Sequence, residues 1–212
     1  MDAKARWAFV KKLAPGVLSL TLLYIFLTAY RDFRDNFAVE IWKALGEGDT
    51  PSILATAELP IAFGVMIALA ALMVIRNNKK ALMVVHLVMA FGTGLVGVTT
   101  WLFQLGVLPP TAWMIAVGLG LYLAYVPYGC VLFDRLIAAL GLAGTATFMI
   151  YVTDAFGYLG SVAVLIYKDV LQAQLSWLEF FVGFSYFTSI LCTVGFAISA
   201  LYFARKMKTA SD

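Results

Sequence analysis

Apolar residues run along this chain in six stretches, each long enough to cross a bilayer and each closed by a short polar or turn-forming segment. A crossing helix needs about 20 mainly apolar residues. The pattern predicts six of them, at roughly 13–44, 52–75, 81–105, 112–133, 145–167 and 177–203. The breaks fall where local chemistry favours them. Asp49-Thr50-Pro51 offers a capping side chain and a first-turn proline ahead of the second span. Pro109-Pro110 interrupts the chain before the fourth, and Gly141 and Gly144 mark the break before the fifth. The loops are short, so residues 1–212 read as a single six-helix transmembrane domain with no separate soluble part.

Composition says the same in bulk. Apolar residues make up 63% of the chain and charged residues 13%, against about 45–50% and 25% in soluble domains. With 16 Phe, 10 Tyr and 5 Trp in 212 residues, a water-soluble fold of this size could not hide the apolar surface. Lipid must solvate most of it. The net charge of +3 comes from basic residues crowded into a few segments and carries no sign of nucleic-acid binding. Their placement gives orientation. Lys4, Arg6, Lys11, Lys12, Arg76, Lys79, Lys80, Arg135, Arg205, Lys206 and Lys208 share one side, and only Lys43 and Lys168 lie on the other. Both termini are therefore expected in the cytoplasm, in a bacterial inner membrane. The basic N-terminus followed by an apolar run imitates a signal peptide. With no small-x-small site and five further spans, it is expected to be an uncleaved first helix. Cys130 and Cys192 have no metal-ligand or redox spacing and read as small hydrophobic residues. No cofactor or metal is expected.

Charge inside the membrane changes the picture. Arg31-Asp32-Phe33-Arg34-Asp35-Asn36-Phe37 follows Tyr30 directly, with Glu40 a turn later. One reading ends the helix at Tyr30 and makes the charges an interfacial loop. The other continues the helix to about Ala44. The second is favoured, because no Gly or Pro interrupts Val17 to Leu45 and a loop from Arg31 to Thr50 would be long. Helical spacing then pairs Arg31 with Asp35 and sets Asp32, Asn36 and Glu40 on a neighbouring stripe. A lone charge at mid-bilayer costs about 2.5–3.5 kcal/mol on insertion scales, so such a cluster must pair and face a protein-lined cavity.

Further polar groups point the same way. Glu58 precedes Pro60 in the second span, Asp154 lies midway along the fifth, and Tyr122, Tyr125 and Tyr128 recur at three-residue spacing in the fourth. The third and sixth spans hold only His86, near the cytoplasmic end, and Glu179 at the outer edge, so they read as lipid-facing. Plainer readings stand beside these. The tyrosines could be packing, Glu58 or Asp154 a buried partner for an arginine, and His86 an interfacial residue without a role. The glycines of spans three to five would mark close helix packing.

The strings Tyr30-Arg-Asp-Phe-Arg-Asp-Asn-Phe-Ala-Val-Glu-Ile-Trp42, Glu58-Leu-Pro60, Leu121-Tyr-Leu-Ala-Tyr-Val-Pro127, Leu132-Phe-Asp-Arg-Leu-Ile-Ala138 and Asp154-Ala-Phe-Gly-Tyr-Leu-Gly-Ser161 stand in order. Together they resemble the C-terminal six-helix half of an uncharacterised family of the major facilitator superfamily, over nearly the whole chain. Full-length members would carry a preceding six-helix half. Arg34-Asp-Asn-Phe-Ala38 is more weakly similar to a first-helix motif of the organophosphate/phosphate antiporters, where the arginine binds substrate phosphate; Asp35 stands where that motif has Lys. The resemblance implies an all-α half of a major facilitator fold, a 3+3 inverted repeat whose first and fourth spans line a cavity.

The expected function is one half of a secondary transporter. It would pair in parallel with itself, or with a second six-helix half, to form a twelve-helix carrier for a small anionic solute, phosphorylated ones included. Arg31, Arg34, Asn36, Tyr122 and Tyr125 would bind solute. Asp32, Asp35, Glu58 and Asp154 would couple protons or form ion pairs. The alternative is a non-transporting membrane subunit whose intramembrane charges only lock helices together. An enzyme is not expected, since HExxH, GxSxG and paired Cys/His sites are missing and there is one histidine.

Overall fold

A computed structural model describes residues 3–48, 52–142, 145–171 and 174–209, with side chains from Leu13 onward and for Lys11. The expected signals at Asp49-Thr50-Pro51 and Gly144, and the side chains of Lys4, Arg6 and Lys12, lie outside the described residues. The helices are α1 (Ala3–Asn36), α2 (Ala38–Ala44), α3 (Ile53–Val74), α4 (Asn78–Gln104), α5 (Pro110–Pro127), α6 (Phe133–Leu140), α7 (Ala146–Ile166) and α8 (Trp177–Thr209). Among the described residues six stretches are long and apolar enough to cross a membrane: Leu13–Asn36, Ile53–Val74, Asn78–Gln104, Pro110–Leu140, Ala146–Leu171 and Trp177–Thr209. The protein is an all-helical integral membrane protein.

Local chemistry explains the punctuation. Pro15 lacks the amide that would bond back one turn, and α1 bends at Leu13, where φ is −117° and ψ 16°. Asn77 caps α4 by accepting a hydrogen bond from the Lys80 amide at 3.0 Å. Pro110 sits in the first turn of α5, where its missing amide costs nothing. Gly141 ends α6 in the left-handed conformation, φ +60°, that a side chain disfavours. After Pro127 the fourth span passes through a π-helical turn, Tyr128–Leu132, before resuming as α6. A second π-helical turn, Tyr167–Leu171, closes the fifth span.

Laterally the spans form a folded row in which α3 packs on α5, α5 on α4, α4 on α8, α8 on α1 and α1 on α7. The α4–α8 pair is the spine. Gly92 and Gly120 let α4 and α5 touch backbone to backbone, since a Cβ on Gly92 would lie 2.5 Å from the Gly120 carbonyl. At the end where α1 stops and α8 begins, Tyr30, Phe33, Phe37, Trp177, Phe180 and Phe181 make one aromatic cluster. Phe37 stacks on Trp177 with centroids 3.9 Å apart. The third and sixth spans are lipid-facing on one side only. Their other side is core, and His86 is wholly buried there, bonded to the Leu82 carbonyl (2.8 Å) and Ser199 Oγ (3.1 Å) rather than lying at the interface. The least covered spans are α3 and α7, at the two ends of the row.

A charged cluster shared by four spans

The charges after Tyr30 stand on helix, not in a loop. α1 runs on to Asn36, and after a one-residue irregularity at Phe37 (φ −110°, ψ 22°) α2 continues to Ala44. The irregularity is slight, because the Phe37 amide still reaches Phe33 O at 3.1 Å and the Ile41 amide reaches Phe37 O at 2.9 Å. One face of α1 therefore presents Tyr24, Thr28, Arg31, Asp32, Arg34 and Asp35 toward α3, α5 and α7.

Nearer the carboxyl end of α1 lies Arg34. Only 3% of the residue is exposed, yet its guanidinium holds two carboxylates. Nη2 donates to Glu58 Oε1 at 2.6 Å, and Nη1 to Asp35 Oδ1 at 3.1 Å. Tyr122 on α5 donates to the other Asp35 oxygen at 2.8 Å. The guanidinium fits because α5 has no side chain at Gly118, where a Cβ would sit 2.7 Å from Nη2 and 3.1 Å from Cζ. The arginine is buried, but its partners are open: the side chains of Asp35 and Glu58 are 40% and 48% exposed. Buried Nε of Arg34 has no partner among the described residues.

A longer chain of hydrogen bonds runs from Arg31 to α7. Its Nε and Nη2 hold Asp32 Oδ1, and Nη1 donates to the Tyr125 hydroxyl, with Arg31 Cζ 4.5 Å above the Tyr125 ring. Ser161 on α7 donates to Asp32 Oδ2 at 2.6 Å. Tyr24 donates to Asp154 Oδ1 at 2.5 Å, and its oxygen lies 3.1 Å from that of Tyr125. A phenol has one proton, so with Tyr24 committed to Asp154 the Tyr125 proton supplies that second bond. Tyr24 and Arg34 are ten residues apart, so the whole array extends along roughly 15 Å of helix axis.

Arg31, Asp32, Arg34, Asp35, Glu58, Tyr122, Tyr125 and Asp154, expected from the sequence as site residues, meet in this array. Asn36 does not. It is exposed at the end of α1 and makes none of these bonds. The expected Arg31–Asp35 pairing is also wrong: each arginine takes the acid that follows it, Arg31 with Asp32 and Arg34 with Asp35. The reach of the guanidinium to Tyr125 on α5 carries Arg31 away from the next turn of its own helix. Tyr128 leaves the ladder and donates to the Leu20 carbonyl at 3.0 Å, fully buried.

Tyr24 and Ser161 were not among the expected residues. The signal for both was spacing: Tyr24 is seven residues before Arg31, and Ser161 seven after Asp154, two helical turns along the same face. Three carboxylates (Asp32, Asp35 and Glu58) thus share two guanidiniums, and a fourth, Asp154, is held by the Tyr24 hydroxyl. Among the described residues no group of His, Cys, Asp or Glu is arranged to hold a metal ion. Chemically the array can exchange hydrogen-bonded partners, hold an anion on a fork of arginine nitrogens, or pass a proton along tyrosine hydroxyls.

No curated protein and no solved structure matches the chain. A family model does match, over residues 1–206, and the chain belongs to that family, a family of unknown function (DUF5690).

Proposed function

We propose that this protein is half of a secondary transporter. Two copies would pair in the same orientation into a twelve-helix carrier that moves a small polar anion by alternating access. The observation that carries the reading is the exposure of Asp35 and Glu58 on a lateral face of the bundle, beside an arginine buried to 3% exposure. Carboxylates turned toward lipid are disfavoured, by up to about 3 kcal/mol each at the bilayer centre. A second six-helix unit laid over α3, α1, α5 and α7 would cover them and enclose an aqueous pocket. A separately encoded partner of the same build is the variant of this reading.

Two further features support it. The row α3–α5–α4–α8–α1–α7 reads the same, in reverse, when the first three spans are exchanged with the last three. A 3+3 inverted repeat of the major facilitator kind would have this symmetry, which supports the reading. The clustered lysines and arginines favour an inner membrane with both termini in the cytoplasm. Arg34 would hold the anionic group of the solute, with Arg31 adding positive potential and Tyr122 and Tyr125 hydrogen bonds. Uptake into proteoliposomes tests the roles. Arg34→Ala and Asp154→Asn are each expected to cut it by about tenfold or more; unchanged uptake of every accepted solute in both variants rejects them.

A second reading has its own support: Arg31 and Arg34 each have a carboxylate partner within the chain. A membrane subunit that uses these pairs only to lock helices needs no solute. It predicts that exchanging the charges, Arg34→Glu with Glu58→Arg, preserves assembly and function. The carrier predicts that the exchange abolishes uptake.

A further inference from the structure

α7 and α8 each pack on α1 but hardly on one another. Between them runs an apolar groove of about 460 Å³, within the roughly 300–1,000 Å³ typical of small-molecule sites. Phe26 of α1, Val164 of α7, and Phe180 and Phe184 of α8 line it. α8 lies outside the set of spans that a second six-helix unit would cover, so the occupant of this groove does not depend on the carrier reading.

The charged groups gather at one end. Glu179 lines the groove in the first turn of α8. It is exposed, and its Oε2 accepts the Ser176 amide at 2.9 Å, which leaves the carboxylate room for further donors. Lys168 follows Tyr167, another lining residue, in the π-helical turn that closes the fifth span. Its ammonium lies over Trp177, 4.4 Å from the ring centre. Only 4% of Lys168 is exposed, yet among the described residues no carboxylate or hydrogen-bond acceptor meets it. A ring face attracts a cation but does not replace the acceptors its three N–H groups require. This buried cation lacks an anion.

Length points to the occupant. From Glu179 to Phe187 the groove follows about 12 Å of α8. Phe187, at the other end, meets Phe26 edge to face with ring centres 5.2 Å apart. One leaflet supplies about 15 Å of hydrocarbon, half of a core roughly 30 Å thick. The groove is one leaflet deep.

We propose that it holds a membrane phospholipid with an ethanolamine headgroup. One acyl chain lies between α7 and α8, the phosphate meets the Lys168 ammonium, and the headgroup amine donates to the Glu179 carboxylate. The two charges select the headgroup. A glycerol headgroup brings a phosphate and no cation, so Glu179 would face only like charge. A choline headgroup brings a cation with no N–H to donate. Gly183 forms part of the groove wall, and a Cβ there would meet nothing within 4 Å. A larger side chain at this position takes up the acyl chain's space without displacing protein.

The test is native mass spectrometry of the full-length protein reconstituted with equal amounts of dioleoyl phosphatidylethanolamine, phosphatidylcholine and phosphatidylglycerol. The wild type is expected to retain the ethanolamine lipid about tenfold over the other two. Gly183→Leu should lose retention of all three while unfolding at the wild-type temperature or above. Lys168→Met should lose it by about tenfold, because the phosphate has no cation. Glu179→Gln should keep a bound lipid and lose its discrimination against phosphatidylglycerol. Retention of the three lipids in the supplied ratio by the wild type, or undiminished retention by Gly183→Leu, overturns the site. So does a change of oligomeric mass in Gly183→Leu at constant lipid content, which would put a second copy of the chain in the groove. Should Gly183→Leu fail to fold, the headgroup pair decides alone: wild-type selectivity in both Lys168→Met and Glu179→Gln overturns the proposal. None of these outcomes touches the carrier, which proteoliposome uptake tests separately.

Discussion

The α4–α8 spine and the charged face of α1, α3, α5 and α7 both bury polar side chains, but they satisfy them differently. On the spine, hydroxyls mostly return to their own helix. Thr99 donates to Leu95 O at 2.7 Å, Thr100 to Val96 O at 2.7 Å, and Ser185 to Phe181 O at 2.7 Å. Helix contact there comes from small residues, as where Gly97 meets Ser189. On the charged face, apart from each arginine's bond to the acid that follows it, the bonds join partners far apart in sequence, from Tyr24 to Asp154, Arg34 to Glu58 and Asp32 to Ser161. A hydroxyl bonded to its own helix survives any movement of its neighbours. A bond across helices does not. The spine is therefore built to stay assembled, and the charged face to report or drive the relative position of four spans.

That contrast can be broken by substitution, most severely where the spine helix α4 crosses α5 backbone to backbone. Gly120→Val would drive a side chain into the Gly92 carbonyl and Val96, and overpacking of this kind costs about 1–3 kcal/mol. Thermal unfolding of the purified protein should show a larger loss for it than for Gly118→Ala, Tyr24→Phe or Thr99→Val. Gly118→Ala comes next. Its methyl group would meet the Arg34 guanidinium, so stability should fall less, while uptake falls by about tenfold or more because the anion fork is displaced. Tyr24→Phe deletes the hydroxyl between Asp154 and Tyr125. The expected cost is about 1 kcal/mol in stability, with a several-fold loss of uptake that Tyr128→Phe, on the buried side, does not share. Thr99→Val should be the mildest, within about 0.5 kcal/mol and with normal uptake, since its hydroxyl bonds to its own helix. If Thr99→Val proved worse than Tyr24→Phe, the division between the two regions would be lost.

Much of this was legible in the chain, for unequal reasons. The six spans follow from bulk hydrophobicity, which needs no partner to be read. The membership of the cluster was legible because a charge in lipid is costly and so conspicuous: Arg34, Glu58 and Asp154 announce themselves. Pairing was not. Arg31 is long enough to reach α5, so i,i+4 spacing with Asp35 misjudged its partner. Tyr24 and Ser161 were overlooked because a tyrosine and a serine are ordinary among apolar residues, so their spacing from Arg31 and Asp154 is a weak signal until neighbouring helices give them partners. The break at Phe37 was equally hidden, since an aromatic residue with good helical neighbours carries no local signal for it; the stack on Trp177, 140 residues later, decides where that ring lies. His86 was misplaced because distance from a helix end says nothing about which way a side chain faces.

The π-helical turn at Tyr128–Leu132 has a consequence for the helical segment beyond it. Such a turn amounts to one residue more than a regular helix would use. Everything downstream is consequently rotated by about 100° about the axis. In this register Arg135 faces α4 and donates to Asn78 Oδ1 at 2.7 Å. A chain one residue shorter here, lacking the exposed Gly129 for instance, would run straight through and swing Arg135 off that partner, so the length of this turn, rather than the identity of any residue in it, fixes how the fourth span is pinned to the third.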